Sequence, residues 1–295
     1  MTNWFLVNAP LIQTFSVLAL LGYSVQLAVR AGVLSFATIG FYAVGGYVSA
    51  HLLKEEGWPA ALVLMSTVLL GGVLAVIMSP MLTRLKALYL AMATLAVTLF
   101  IQALAQSWEG FTGGAQGMFL IPRVLPQWLM LILVAAVVAL AWYTQRGAWG
   151  RAVTTLREDD VLSAALGIRV TRYQAVAFVI SAMVGSLAGF VQVSTVGVFG
   201  PTDVGFSTVV ASLTVMVLGG TVVWIGPLMG AALLALMPVY LTGTGSWNLI
   251  IQALVLLAVV VYQPDGLAGL LRAVWNMIGK VRRTSETKHV KERVA

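Results

Sequence analysis

Cysteine is absent from all 295 residues. That excludes a disulfide framework, a thiolate metal site and a cysteine nucleophile. Histidine is nearly absent, and His51 and His289 are too far apart in sequence to form a local metal motif. Charge is scarce too. Only 9% of residues are charged and 60% are hydrophobic, whereas a soluble domain carries about 25% charged residues. Mean hydropathy is +0.97. One soluble globule cannot hide so much apolar surface, so lipid is the expected solvent. No Walker A stretch occurs: Gly279-Lys280 is followed by Val281 and lacks the earlier glycine of that loop. Any ATP-driven work must therefore come from another chain. Lys and Arg are missing before Arg30, so the first apolar segment reads as a retained membrane helix and not a cleavable signal.

A helical span of the hydrocarbon core needs about 20 apolar residues. Nine segments qualify, at roughly 10–29, 33–53, 60–80, 87–106, 127–144, 174–195, 206–221, 226–242 and 246–263. None shows the alternation of a barrel strand, so the expected fold is all-α and polytopic. The seventh and eighth segments are short and interrupted by glycine. The second contains Gly40, Gly45 and Gly46. Any of the three could be broken or re-entrant.

With the N-terminus outside and the C-terminus inside, 15 of the 17 Lys and Arg fall on the inner side, leaving only Lys54 and Arg123 outside. The positive-inside rule favours that topology. It also explains the net charge of +7 without nucleic acid, because the charge sits in short loops and the tail. Residues 1–263 are expected to form the membrane domain, with a cytoplasmic loop at 145–173. Residues 264–295 are expected to form an amphipathic helix on the inner face and a basic tail.

All 27 charged residues fall outside the spans or at their ends. A proton relay, an ion pathway or a voltage sensor normally needs an intramembrane charge, so a carrier with a buried acidic relay is disfavoured. A sodium carrier built on backbone carbonyls stays open. The polar side chains within the spans are Gln13, Gln26, Thr94, Thr98, Gln102, Gln106, Gln192, Thr214, Asn248 and Gln252, among others. They serve either interhelical hydrogen bonding or a mildly polar path for a neutral or zwitterionic solute.

The charged island between Arg146 and Arg172, with five Arg and three acids, is longer than a turn requires. Asp159 and Asp160 suit a helix start. Val161, Ala164, Ala165 and Ile168 form a small apolar stripe, and Gly167 suits a helix end. An exposed amphipathic helix of this kind needs a partner, although a plain positive-inside loop remains the simpler alternative. Gly185-x-x-x-Gly189 and Gly226-x-x-x-Gly230 read as packing motifs. Leu218-Gly219-Gly220 ahead of Gly226-Pro227 suggests a broken helix, whose freed backbone groups would face protein or a water-filled cavity. By this argument the path approaches Ser35, Gly40, Gly45, Gly46, Thr94, Gln102, Gly219 and Gly220.

Several stretches, taken together and in order, carry a resemblance. They include Gly32-Val33-Leu34-Ser35-Phe36 through Gly40 to Tyr47, Leu85 through Leu95, Thr112-Gly113-Gly114-Ala115-Gln116-Gly117, and Gly150-Arg151-Ala152 through Asp160. Further on come Ala165-Leu166-Gly167-Ile168, Ala177 through Ala182, and Val217-Leu218-Gly219-Gly220. The chain resembles the LivM-like permease subunits of branched-chain amino acid ABC importers. The resemblance implies a multi-pass protein of a bacterial inner membrane that is not itself an enzyme. It implies a second homologous permease subunit, two cytoplasmic ATP-binding subunits that use ATP and Mg, and a periplasmic or extracellular solute-binding protein. No cofactor, metal or nucleic acid is implied for this chain. Arg157, Glu158, Asp159, Asp160, Ala164, Leu166 and Gly167 resemble the family's coupling helix, which contacts the ATPase.

Two departures stand out. Asp160-Val161-Leu162-Ser163 replaces the family's frequent Glu-Ile-Ala-Ala, and Thr221-Val222-Val223 follows Leu218-Gly219-Gly220 where the family often has Gly-Ser. Related permeases carry urea, amides and aromatic acids, so the solute is expected to be a branched-chain or other neutral amino acid, with those solutes as alternatives. A stand-alone secondary carrier and a non-transporting scaffold are the competing classes.

Overall fold

A computed structural model describes residues 9–82, 85, 87–240 and the isolated positions 254, 257, 266, 267 and 269. The expected last span (246–263) and the tail (264–295) lie almost wholly outside the described residues.

The described chain is helical, with one isolated antiparallel bridge between Met118 and Phe199. The long helices are α1 (Ala9–Arg30), α2 (Ala37–Lys54), α3 (Ala60–Leu82) and α4 (Ala87–Ser107). A short helix α5 (Glu109–Thr112) and a 3₁₀ turn (Gly114–Gln116) follow. Next come α6 (Gln127–Tyr143), α7 (Gly147–Glu158), α8 (Asp160–Ala165) and α9 (Val170–Val196). A second 3₁₀ turn (Pro201–Val204) leads to α10 (Phe206–Gly219) and α11 (Gly226–Tyr240).

Among the described residues, α1, α3, α4 and α9 are each long and apolar enough to cross a membrane. Helices α6 and α7 meet that test as a pair bent by 76°. Helices α10 and α11 have 14 and 15 residues. At 1.5 Å per residue they rise about 21–23 Å, short of the ~30 Å hydrocarbon core.

Helices α1, α2 and α9 form the centre, and their contact is made possible by small residues. A Cβ on Gly45 would strike the backbone of Ser186, and one on Gly189 would strike Tyr42 O and the backbone of Gly45 and Gly46. Close approach also lets hydroxyls reach across. Ser24 Oγ donates to Ser181 O (2.8 Å), and Ser186 Oγ donates to Phe41 O (3.2 Å). With lipid on the outside there is little hydrophobic drive between helices, so packing and such bonds hold them. Helices α3 and α4 lie at the periphery and expose Leu69, Ile77, Leu88 and Phe100, the side chains expected on a lipid-facing surface.

The second apolar segment is therefore not broken: α2 runs continuously through Gly40, Gly45 and Gly46. Gly45 and Gly46 admit a neighbouring helix backbone and the ring of Phe199, and Gly40 lies against Ile101 and Thr98. The island at 145–173 also differs from the single helix expected. It holds two helices, separated at Asp159, whose backbone is extended.

The two ends of the bundle are distinct. Arg30, Gln145, Arg157, Thr221 and Trp224 meet at one end, and a Cβ on Gly266 would strike Gly219 and Gly220 there. At the other end His51 stacks on Phe111, with ring centroids 4.8 Å apart. Ile121 N also donates to Gly197 O there (3.1 Å).

Candidate functional site

At the Arg-bearing end, α7 lies across the bundle on Ala152, Val153 and Leu156, all buried, and turns Arg151 and Arg157 outward. Trp149 and Tyr173 stack beside it, with centroids 4.7 Å apart. The chain then breaks at Asp159, which caps α8. Its Oδ1 accepts from Leu162 N (3.0 Å), and its carbonyl accepts from Ser163 N (3.1 Å). Gly167 closes α8 with φ +81°. Ile168 N donates to Ser163 O and Gly167 N to Ala164 O, the paired bonds of a left-handed helix end.

Helix α8 buries Ser163 and leaves Leu162 (58%), Leu166 (65%), Ala164, Ala165 and Gly167 exposed. An exposed apolar patch of this kind, beside Arg157, suits a protein partner. Leu162, which breaks the small-residue pattern in sequence, is one of its two largest apolar members. Leu166, four residues on, is the other, and that i, i+4 spacing could have flagged the pair.

The same end holds the break between α10 and α11. Residues 220–225 leave the helix, and their carbonyls are taken by α1. Gln26 Nε2 donates to Val223 O (2.9 Å), Gly220 O (3.3 Å) and Thr221 O (3.4 Å). Tyr23 Oη donates to Trp224 O (2.7 Å). Arg157 Nη2 donates to Thr221 Oγ1 (3.1 Å). With its amide oxygen turned toward these donors, Gln145 accepts from Trp224 N (2.8 Å) and Arg30 Nη1 (2.6 Å). Helix α7 is thus tied to the break through Arg157, and the turn before it through Gln145.

At the opposite half, a crevice of about 410 Å³ opens between α1, α2, α9, the Pro201–Val204 turn and α10. Thr14, Gln192, Thr202, Asp203, Ser207 and Thr208 give it a polar side. Val17, Leu18, Leu21 and Ala211 give it an aliphatic side, and Tyr42 completes the wall.

None of the eight residues expected at the path lines this crevice. Gln102 comes nearest, since its Nε2 donates to Pro201 O (3.1 Å). Ser35 and Thr94 hold the start of α2, accepting from Ala37 N (3.3 Å) and Phe36 N (3.0 Å). Gly219 packs against Gly226, and Gly220 sits in the break. Gln192 was legible as polar within a span; Asp203 stood in a loop between spans and carried no signal of its own. Among the described residues no group of three or more His, Cys, Asp or Glu could hold a metal ion.

The chain has recognisable relatives among known proteins. The profile of the family described as "Branched-chain amino acid transport system / permease component" matches residues 9–260. The high-affinity branched-chain amino acid transport system permease protein LivM of Salmonella typhimurium is 24% identical over 288 residues, covering 86% of this chain and 68% of that protein. The LivM of Escherichia coli K12 gives the same identity and coverage. Over 144 residues the chain is 28% identical to the fructose import permease protein FrcC of Rhizobium meliloti, covering 45% of this chain and 40% of that protein. No solved structure matches.

Proposed function

The chain belongs to the family of permease components of branched-chain amino acid transport systems, and from that premise we propose that it is one of two homologous membrane subunits of an ATP-driven importer. Membership makes it a multi-pass membrane permease subunit, not a catalytic enzyme, and implies ATP-binding and solute-binding partners. The Arg-rich end faces the cytoplasm of a bacterial cell, as the positive-inside rule prefers. Helices α7 and α8 seat on one of two ATPase subunits. A binding protein outside delivers a branched-chain or other neutral amino acid to the opposite end.

The observation that carries this reading is the link from α7 to the break: Arg157 reaches Thr221 from the helix pair that exposes Leu162 and Leu166. Movement of the ATPase pair would displace α7 and α8, and the 220–225 turn would follow. The membrane subunit then contributes alternating access and no covalent step. Arg157, Glu158, Asp159, Asp160, Ala164, Leu166 and Gly167 form the proposed coupling surface. The path runs along the crevice toward the break at Gly219–Gly220. An amino acid is favoured over a sugar because the LivM similarity spans 86% of the chain and the fructose permease similarity only 45%.

The test is reconstitution of the chain with its second permease, ATPases and binding protein in proteoliposomes. ATP-dependent uptake of labelled leucine is expected. Uptake by this chain alone, driven by an ion gradient without the ATPases, would refute the reading and favour a stand-alone carrier.

A further inference from the structure

Asp203 is an acidic side chain lining the crevice, and its surroundings fix it there. It belongs to the 3₁₀ turn Pro201–Val204, which joins α9 to α10. Its Oδ2 accepts from Gly200 N (2.9 Å), its N–H donates to Gly200 O (3.0 Å), and its carbonyl accepts from Thr208 Oγ1 (2.8 Å). The turn is thus pinned to α10, and one carboxylate oxygen is engaged. Among the described residues the other has no hydrogen-bond partner, and no cationic side chain pairs with Asp203. Tyr42 and Tyr47, both largely buried, lie within the field of this charge. A carboxylate held beside an apolar wall, with no counter-ion, has a strong preference for a cation that can also donate a hydrogen bond.

The rest of the crevice narrows the class. Gln192, Thr14 and Ser207 supply amide and hydroxyl donors, whereas the Thr208 proton is already given to Asp203 O. Val17, Leu18 and Leu21, on one helix, supply a strip of aliphatic wall. One carboxylate, several neutral donors and one aliphatic face are complementary to an ammonium, a carboxylate and a branched hydrocarbon side chain on one small molecule.

We propose that Asp203 is the ammonium-recognising group of this crevice, and that the crevice takes a zwitterionic amino acid with an aliphatic side chain. The proposal rests on the transport reading above and deepens it. The cap and the charge are separable, because Asp203→Asn keeps an oxygen for Gly200 N while it removes the negative charge and turns the free acceptor into an amide donor.

The experiment uses the complete importer in proteoliposomes and has two arms. In the first, leucine uptake is compared for the parent, Asp203→Asn and Asp203→Glu, with co-purification of the ATPase subunits as the check on folding. Asp203→Asn should lose about tenfold or more in initial rate, the size of one charge-assisted hydrogen bond, and Asp203→Glu should recover part of it. In the second, Ser207→Cys supplies the only thiol of this chain, and its labelling, read on this chain alone, is compared for a cationic and a neutral methanethiosulfonate reagent. Asp203→Asn should lower the cationic-to-neutral rate ratio about fivefold or more, the effect of losing one nearby charge in a partly shielded site. Parent-like leucine uptake by Asp203→Asn overturns the proposal, as does an unchanged reagent ratio. If the parent importer takes up no leucine, the transport reading fails on its solute, and the reagent ratio still decides whether the crevice selects cations.

Discussion

Of the side chains that hold the break between α10 and α11, Gln26 serves the most carbonyls, and that makes Gln26→Leu informative. Gln26 is fully buried on α1, and its Nε2 serves the carbonyls of Gly220, Thr221 and Val223. Leucine has a similar volume, so packing on α1 is largely kept while both N–H donors disappear. Leaving a buried acceptor unmatched costs about 1–3 kcal/mol. Only the Val223 bond, at 2.9 Å, is short, so one full bond and part of a second are lost. Against this, Gln26 Oε1 is itself buried without a partner, and removing it recovers some of the loss. The net effect is about 2 kcal/mol, which raises the population with an open turn roughly 25–30-fold. The chain has no cysteine, so Leu218→Cys, at a position 1% exposed, supplies a clean reporter. In the regime where closing outruns labelling, the rate of reaction with a water-soluble maleimide follows the open population. The rate in Gln26→Leu should exceed that in the Gln26 parent by about that factor. A ratio within about twofold, the size of an ordinary neutral substitution, would show that other contacts hold the turn.

Three further outcomes are expected. Gly189→Val places branched carbon against the backbone of α2 and should lower thermal stability by at least the ~1–3 kcal/mol of an overpacked core; an unchanged melting temperature would contradict the tight α2–α9 contact. Gly167→Leu forces a branched side chain into the left-handed region at φ +81°, a cost of about 1–2 kcal/mol, and should weaken co-purification of the ATPase subunits while leaving the spans inserted; wild-type recovery would make the α8 end irrelevant to docking. A phosphatase fused after Pro122 should be active and one fused after Lys280 inactive, with the opposite pattern reversing the proposed orientation.

The all-α, lipid-solvated class was legible in the sequence because hydropathy over a window of about 20 residues is a local property. So was the segregation of Lys and Arg, which the loops carry regardless of packing. The start of α8 at Asp159 and its end at Gly167 were readable because caps are decided by side-chain chemistry within a few residues. The break at Gly219–Gly220 was readable for the same reason.

Other features needed the folded chain. Glycine inside a span has two meanings, a weak point in the helix or a place for a neighbour. Only the position of Ser186 beside Gly45, and of Tyr42 beside Gly189, decides for the second. The division of the 145–173 island into α7 and α8 follows from α7 burying Val153 and Leu156 on the bundle, which its own sequence cannot reveal. The crevice is assembled from five elements that come from three separated stretches of the chain. Asp203 gains meaning there only because a tertiary fold sets a carboxylate from a connecting turn beside the aliphatic face of α1, and no local pattern encodes that juxtaposition.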